Sequence, residues 1–228
     1  MPIRHLGPHT PFPDPLEAEP EGLLAYGGDL SPERLLAAYR KGIFPWYEAG
    51  FPILWWSPPE RALFRPGDEH LGRRTQRTLR TSGFEVRVDT AFDAVVEGCA
   101  TVSRPGQDGT WITPEMREAY GCLHRRGIAH SFETWRDGVL VGGLYGLSLG
   151  AAFFGESMFS RVACASRAAF ARLCATCWGW GFHFIDGQLP NPNLEGLGAR
   201  VVSRDTYLGL LRTALRAETR PGPWTGCA

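Results

Sequence analysis

The sequence has almost no lysine: Lys41 is the single one among its 24 basic residues. It also has no excess of either charge, with 24 acidic residues set against those 24 cations. A net charge of zero excludes a uniformly basic nucleic-acid binder. The arginine skew favours planar contacts with phosphate and carboxylate, but a GC-rich coding bias gives the same skew. Long apolar runs are missing too; none approaches the roughly 20 residues of a membrane span. The stretch Met1-Pro-Ile-Arg-His-Leu-Gly-Pro8 has no apolar segment like that of a signal peptide. A cytosolic protein with no membrane partner and reduced cysteines is the expectation. Cysteine is sparse, with six residues. Cys174 and Cys177 make a lone CxxC in a helix-like segment, without a second CxxC or a nearby His pair, which favours structural thiols over a zinc or redox site. Internal repeats and low-complexity runs are absent.

What is present is enough apolar material for a core. The 228 residues are 43% hydrophobic and 12% aromatic, which excludes disorder and allows one large domain with or without a smaller one. Residues 1–22 read as an irregular, proline-rich lead. Ser31-Pro-Glu-Arg-Leu-Leu-Ala-Ala-Tyr-Arg-Lys-Gly42 predicts a helix with Ser31 as N-cap, Pro32 at its first position and Gly42 closing it. Ile43-Phe-Pro-Trp-Tyr47 and Ile53-Leu-Trp-Trp-Ser-Pro58 hold three of the eight tryptophans, and their prolines argue against a regular central strand. A small N-terminal domain over residues 1–62 and a larger one over 63–228 follow. Beyond that boundary the pattern predicts a helix over 70–80, a strand over 84–88 and helices over 90–99, capped by Thr90, and 113–127. Next come strands over 129–135, 139–147 and 151–159, with an Asp-Gly turn that indicates an antiparallel meander. A long helix over 163–178, a strand over 182–185 and a last helix over 204–216 complete the chain.

Two carboxylates stand out: Glu156 in Ala151-Ala-Phe-Phe-Gly-Glu-Ser-Met-Phe-Ser160 and Asp186 in Phe182-His-Phe-Ile-Asp-Gly-Gln188. An unpaired buried charge is costly, so such groups pair, shift their pKa or act in a site. Two of them at the ends of apolar runs suggest one polar site cut into a sheet. The order of elements resembles the N-acetyltransferase fold, an α+β architecture with a mixed, mainly antiparallel sheet, in which acyl transfer occurs where central strands splay apart. A coenzyme A donor would need a glycine-rich turn opening the long helix. Phe159-Ser-Arg-Val-Ala-Cys-Ala-Ser-Arg167 has no glycine, and Gly142-Gly-Leu-Tyr-Gly146 falls inside the meander. The acyl donor is expected to be something else.

Six motifs then carry a more specific resemblance: Gly27-Gly-Asp-Leu-Ser31, Gly42-Ile-Phe-Pro-Trp46, Ile53-Leu-Trp-Trp-Ser-Pro58, Gly109-Thr-Trp-Ile-Thr113, Gly155-Glu-Ser-Met-Phe-Ser160 and Ile185-Asp-Gly-Gln188. In that order they resemble the leucyl/phenylalanyl-tRNA–protein transferase family over nearly the whole chain. The resemblance implies an enzyme that moves Leu or Phe, with Met as a minor donor, from aminoacyl-tRNA to the α-amine of proteins beginning with Arg or Lys, so marking them for degradation. An aminoacyl ester is already activated, so no cofactor and no metal is demanded. The acceptor amine, with a pKa of about 8, is itself the nucleophile. The enzyme has to orient ester and amine and manage one proton.

By resemblance, Gln188 contacts the reacting amine or carbonyl, Asp186 polarises that contact, and Glu156 holds the cationic acceptor end. Two residues apart on a strand, Asp186 and Gln188 are expected on one face. By resemblance again, Leu144, Met158, Phe170, Leu173, Cys177 and Ile185 line the donor's apolar pocket, and Trp46 and Trp111 flank the terminal adenosine of the tRNA. Of Trp55 and Trp56, one is assigned to packing. Arg73, Arg74, Arg77 and Arg80 repeat at helical spacing and form a basic face for the acceptor stem, with Arg61 and Arg65 as its extension. Arg212, Arg216 and Arg220 read as a second, solvated stripe. The family pattern departs at Leu173 and Cys177, where aromatic residues are expected, at Asn193 and Gly196, and at Arg167. Two rival readings are an aminoacyl-tRNA-dependent transferase acting on cell-wall precursors and a tRNA- or degron-binding protein without catalysis. Nothing in the sequence specifies an oligomer.

Overall fold

A computed structural model of the chain describes residues 3–102 and 110–226. Met1, Pro2 and Gly109 of the sequence motifs, like Cys227, lie outside the described residues. The N-terminal part holds β1 (Arg4–Leu6), β2 (Leu23–Gly27), α1 (Pro32–Arg40), β3 (Phe44–Pro45) and β4 (Leu54–Trp56). Then follow β5 (Glu60–Phe64), α2 (Arg73–Thr81), β6 (Glu85–Val88), α3 (Phe92–Thr101) and α4 (Pro114–Arg125). The meander is β7 (Ala129–Arg136), β8 (Val139–Leu149) and β9 (Ala152–Ser160). After it come α5 (Ala165–Gly179), β10 (Phe184–Asp186), α6 (Pro192–Gly196), β11 (Arg200–Ser203) and α7 (Arg204–Ala214).

The strands form two sheets. The small one has the order β1-β2-β4-β3 and the large one β11-β5-β10-β9-β8-β7-β6. Within the large sheet only β9 and β10 run parallel; the remaining pairs are antiparallel. This is the expected mixed, mainly antiparallel α+β architecture. Alternation along β9 divides the core. Phe154 belongs to a cluster with Tyr39, Val95, Tyr120 and Tyr207, so α1, α3, α4 and α7 cover that face. Phe153 belongs to a cluster with Phe170, Leu173, Cys174, Cys177 and Trp224, so α5 and the C-terminal segment cover the other.

Local signals behave as their chemistry requires. Ser31 Oγ accepts from the Arg34 amide, and Thr113 Oγ1 accepts from Met116, each with proline opening the helix behind it. Asp137 and Gly138 both take positive φ, 51° and 75°, which matches the twist of a two-residue hairpin between β7 and β8. Other expectations are corrected. The lead before residue 22 is not wholly irregular, because β1 pairs in parallel with β2. β4 is an inner strand of the small sheet despite its flanking prolines; Pro52 and Pro58 lie outside its three residues, and Pro45 sits on the edge strand β3. Thr90 does not cap α3; Ala91 occupies that place, and the Thr90 hydroxyl donates to buried Glu133 at 2.8 Å. α7 ends at Ala214, so Arg216 and Arg220 leave the helical stripe, and the Arg220 guanidinium lies 5.3 Å from the Trp180 ring.

Candidate active site

The parallel pair β9–β10 is in register only from Phe184↔Ala152 to Asp186↔Phe154. β9 then continues six residues along β8 while β10 stops. The opened seam leads into a cavity of about 360 Å³. Its walls include Phe64, Trp111, Leu144, Tyr145, Glu156, Met158, Phe170, Leu173, Ile185 and Asp186.

A β-bulge sets the chemistry of this cavity. Tyr145 pairs with Ser157 and Gly146 with Gly155, so Glu156 is the extra residue. Gly146 fits this because a Cβ there would come within 2.1 Å of the Phe154 carbonyl oxygen. An extra residue shifts the alternation by one. Glu156 therefore faces the α1/α4 side while Met158, opposite Leu144, joins the α5 side. In an unbroken strand the two would share a face. The bulge thus lets one cavity carry an acid on one side and apolar groups on the other.

Glu156 is held by three donors. Tyr39 Oη donates to Oε1 at 2.7 Å, Gln188 Nε2 donates to Oε1 at 2.8 Å, and Tyr120 Oη donates to Oε2 at 2.9 Å. Burial pushes its pKa up to about 7, against the lowering effect of the two phenols; the charge of Asp186 raises it further and that of Arg61 lowers it. Tyr39 and Tyr120 lie 2.6 Å apart, and burial, then the Glu156 charge, holds both hydroxyls far above their usual range, so they remain proton donors. With its amide nitrogen committed to Glu156, Gln188 turns its carbonyl oxygen elsewhere as an acceptor.

Asp186 is in another situation. It is 0% exposed, and Arg61, 1% exposed, meets it through Nη2 to Oδ2 and Nε to Oδ1. Oδ1 also accepts the Gln188 backbone amide at 2.8 Å. Gln188 is not on the strand with Asp186 as expected: β10 ends at Asp186, and Gln188 has φ 63°, in the left-handed region. Arg61 is likewise no part of a basic surface, because Asp186 and the fold's interior claim it.

The other expected site residues divide. Leu144, Met158, Phe170, Leu173, Ile185 and Trp111 come together on the cavity wall. Cys177 sits in the core behind that wall, 0% exposed, with Cys174 beside it, and burial pushes both thiols up and keeps them protonated. Trp46 does not line the cavity. It is 40% exposed and stands 5.6 Å from Trp56, whereas Trp55 is buried against Phe12. Arg73, Arg74, Arg77 and Arg80 all project from exposed positions of α2, while Thr75 on the opposite side accepts from Arg167 at 2.8 Å. Among the described residues no cluster of His, Cys, Asp and Glu is arranged to hold a metal ion, and no helix is long and apolar enough to cross a membrane.

Sequence reasoning missed Tyr39, Tyr120, Phe64 and Arg61 as parts of the site. The tyrosines occupy buried positions of amphipathic helices, where any apolar residue would give the same pattern. Only the phenol oxygens distinguish them.

Comparison with known proteins follows the same outline. The family model described as leucyl/phenylalanyl-tRNA protein transferase matches residues 63–212, and that of its N-terminal domain matches residues 28–59. A leucyl/phenylalanyl-tRNA–protein transferase of Anaeromyxobacter dehalogenans is 53% identical over 224 residues, covering 98% of this chain and 96% of its own. One of Alkalilimnicola ehrlichii is 55% identical over 220 residues, covering 95% and 85%. Among solved structures, FemX superposes with a TM-score of 0.51 at 11% identity, covering 75% of this chain and 66% of that one, which is a likeness of fold alone.

Proposed function

The chain belongs to the leucyl/phenylalanyl-tRNA–protein transferase family and is an aminoacyltransferase; from that premise we propose that it moves Leu or Phe, with Met as a minor donor, onto the α-amine of proteins whose first residue is Arg or Lys. The observation that carries this reading is one cavity lined both by an apolar wall and by a carboxyl whose pKa is pushed up to about 7. The apolar wall of Leu144, Met158, Phe170, Leu173 and Ile185 takes the donor side chain. Such a wall discriminates weakly by a single methylene, which admits Met. Trp111 stacks on the terminal adenosine, Trp46 contributes from the N-terminal side, and the α2 arginines follow the acceptor-stem phosphates.

The step itself is amine attack on an ester. The acceptor nitrogen bonds to the carbonyl carbon, the bond from that carbon to the ribose oxygen breaks, and the proton lost by the nitrogen ends on the ribose hydroxyl. Glu156 binds the acceptor ammonium and takes a first proton, later released to solvent, so that the neutral amine can attack. The second proton, lost as the C–N bond forms, is the one that ends on the ribose oxygen. A carboxyl with a pKa close to ambient pH is suited to taking and releasing the first. The free carbonyl oxygen of Gln188 orients the amine. Its direct pairing with the buried Arg61 guanidinium, which Glu156 lacks, gives Asp186 the role of support and not of base.

The reading also keeps two domains, 1–62 and 63–228, with β5 at the seam and Tyr39 reaching from the first to Glu156 in the second. A cytosolic protein that creates a degradation mark on its acceptor completes it. Transfer of labelled Leu from leucyl-tRNA to an Arg-initiated peptide, with an Ala-initiated peptide as control, tests it. Labelling of the Arg peptide alone is expected; equal labelling of both would remove the acceptor rule. Trp111→Ala is expected to weaken donor binding by about 1–3 kcal/mol, the worth of one base stack, with turnover at saturating donor nearly kept. Unchanged donor affinity would take Trp111 out of the adenosine site.

A further inference from the structure

Arg61 is a guanidinium closed off from solvent on a short strand that also bonds to both neighbours in the large sheet. Its contacts come from four parts of the chain. Nη1 donates to the Gly42 carbonyl at 2.9 Å, at the end of α1; Nη2 donates to Tyr207 Oη at 3.2 Å, on α7; and Nη2 and Nε both reach Asp186 on β10. The rings of Tyr207 and Phe44 lie 4.2 Å and 5.0 Å from its carbon centre. Gly42 is required at its place: φ is 75°, and a Cβ would stand 2.7 Å from the Tyr207 ring.

The far side of this cluster is the reacting side of the cavity. Asp186 Oδ1 accepts from Arg61 and from the Gln188 backbone amide. That second bond closes the turn in which Gln188 adopts its left-handed conformation, uncommon for a residue with a side chain. The side chain so aimed donates to Glu156. Removing the fork would free Asp186 to swing, release the turn and let Gln188 leave Glu156.

We propose that Arg61 is a positioning residue for aminoacyl transfer, locking Asp186 as a fixed two-pronged acceptor that in turn aims Gln188 at Glu156. This rests on the reading in which Gln188 and Glu156 face the acceptor amine. It gives the chain's arrangement a mechanical order: α1, β5 and α7 hold the fork, the fork holds β10, and β10 holds the residue that meets substrate.

Arg61→Lys separates geometry from charge, since it keeps a cation and loses the planar fork. In the full-length chain, after wild-type transfer of Leu to the Arg-initiated peptide has been established, Arg61→Lys is expected to lower kcat about 10–100-fold, the scale of a misplacement near 1 Å. KM for leucyl-tRNA should change little, and the unfolding midpoint should fall less than in Asp186→Ala, because the buried cation still faces Asp186 while part of the bonding to Gly42 and Tyr207 is lost. The pH profile supplies a second readout of whether Arg61 and Asp186 stand against Glu156 as a charged pair, while Arg61→Lys, which keeps the charge, carries the positioning role. Glu156 is faced by Tyr39 of α1, Tyr120 of α4, Tyr145 of β8 and Gln188, and it feels the charges of Asp186 and Arg61. Arg61→Met removes a lowering influence and should move the acidic limb of the rate profile up; Asp186→Asn removes a raising one and should move it down. The limb from the acceptor amine should stay in place. Arg61→Lys with wild-type kcat, or a kcat loss matched by an equal loss of donor affinity or folding, would overturn the proposal. Limbs that shift together in Arg61→Met and Asp186→Asn would do the same, and if Arg61→Met does not fold, Arg61→Lys and Asp186→Asn decide it.

Discussion

Asp186→Ala is expected to lose about 3–5 kcal/mol of folding stability, the cost of leaving one partner of a buried ion pair without the other. The stranded group is Arg61, 1% exposed, which would keep the Gly42 carbonyl and the Tyr207 hydroxyl but no counter-charge. Turnover is expected to fall with it, because the Gln188 amide loses its acceptor and the left-handed turn loses its tie. Binding of leucyl-tRNA should be affected least, since Asp186 belongs to the polar part of the cavity lining and not to the apolar wall. Urea unfolding, single-turnover transfer and tRNA binding measured on one preparation separate the three. A variant as stable as the parent would mean that the pair is not closed in solution. A variant with full turnover would remove Asp186 from the site altogether.

Glu156→Gln is expected to lower turnover by about 10²–10⁴-fold, the usual worth of a proton-transfer group. The part of the pH dependence that titrates near 7 should disappear with it, leaving the rise set by the acceptor amine at about 8. Stability should move the other way. The carboxyl's folded pKa, about 7, stands above the ordinary 4.5 of a glutamate, so the folded state holds its proton more tightly than the unfolded chain. Its contribution is therefore full at pH below the unfolded value and is lost as pH rises toward 7. Above that window the ionised group is a burden, and Glu156→Gln should be more stable than the parent by roughly 1–3 kcal/mol. Near pH 4 the two should melt alike. Thermal unfolding at both ends of the range checks this. Equal melting at high pH would show that Tyr39, Tyr120 and Gln188 fully compensate the charge.

The apolar half of the candidate site was legible to the extent that its residues share one cavity. Leu144 and Met158 on adjoining strands, and Phe170 and Leu173 at helical spacing, were assembled by resemblance and meet at the cavity. Cys177 belongs to the same helix and carries the same pattern, yet it is not among the residues that line the cavity. Periodicity reports which face a residue shares, not how far along that face a cavity extends. The polar half was read by residue type but not by arrangement. Glu156 and Asp186 were singled out as a pair of like groups, and the structure gives them opposite circumstances: one is at a cavity wall with a raised pKa, the other closed in an ion pair. Buried Glu133 and Asp89 escaped notice for a related reason. Asp89 has φ 55° and lies just after β6; burial would raise its pKa, but His130, at 2.8 Å, and the amides of Ser131 and Trp224 hold it low.

By itself the sequence determined the class of protein, the sheet-and-helix order from α2 to β10, the caps at Ser31 and Thr113, the hairpin at Asp137-Gly138 and the family, because each of these is written in local chemistry or in ordered motifs; it gave no sign of α6 or β11. Only the tertiary structure decided that β4 is an inner strand, that a bulge at Glu156 turns acid and apolar wall to different sides, and that Arg61 is a buried partner rather than a surface cation. Those facts depend on which residues from distant parts of the chain arrive at the same point. Arg61 and Asp186 are 125 residues apart, and neither position carries a trace of the other in its own neighbourhood.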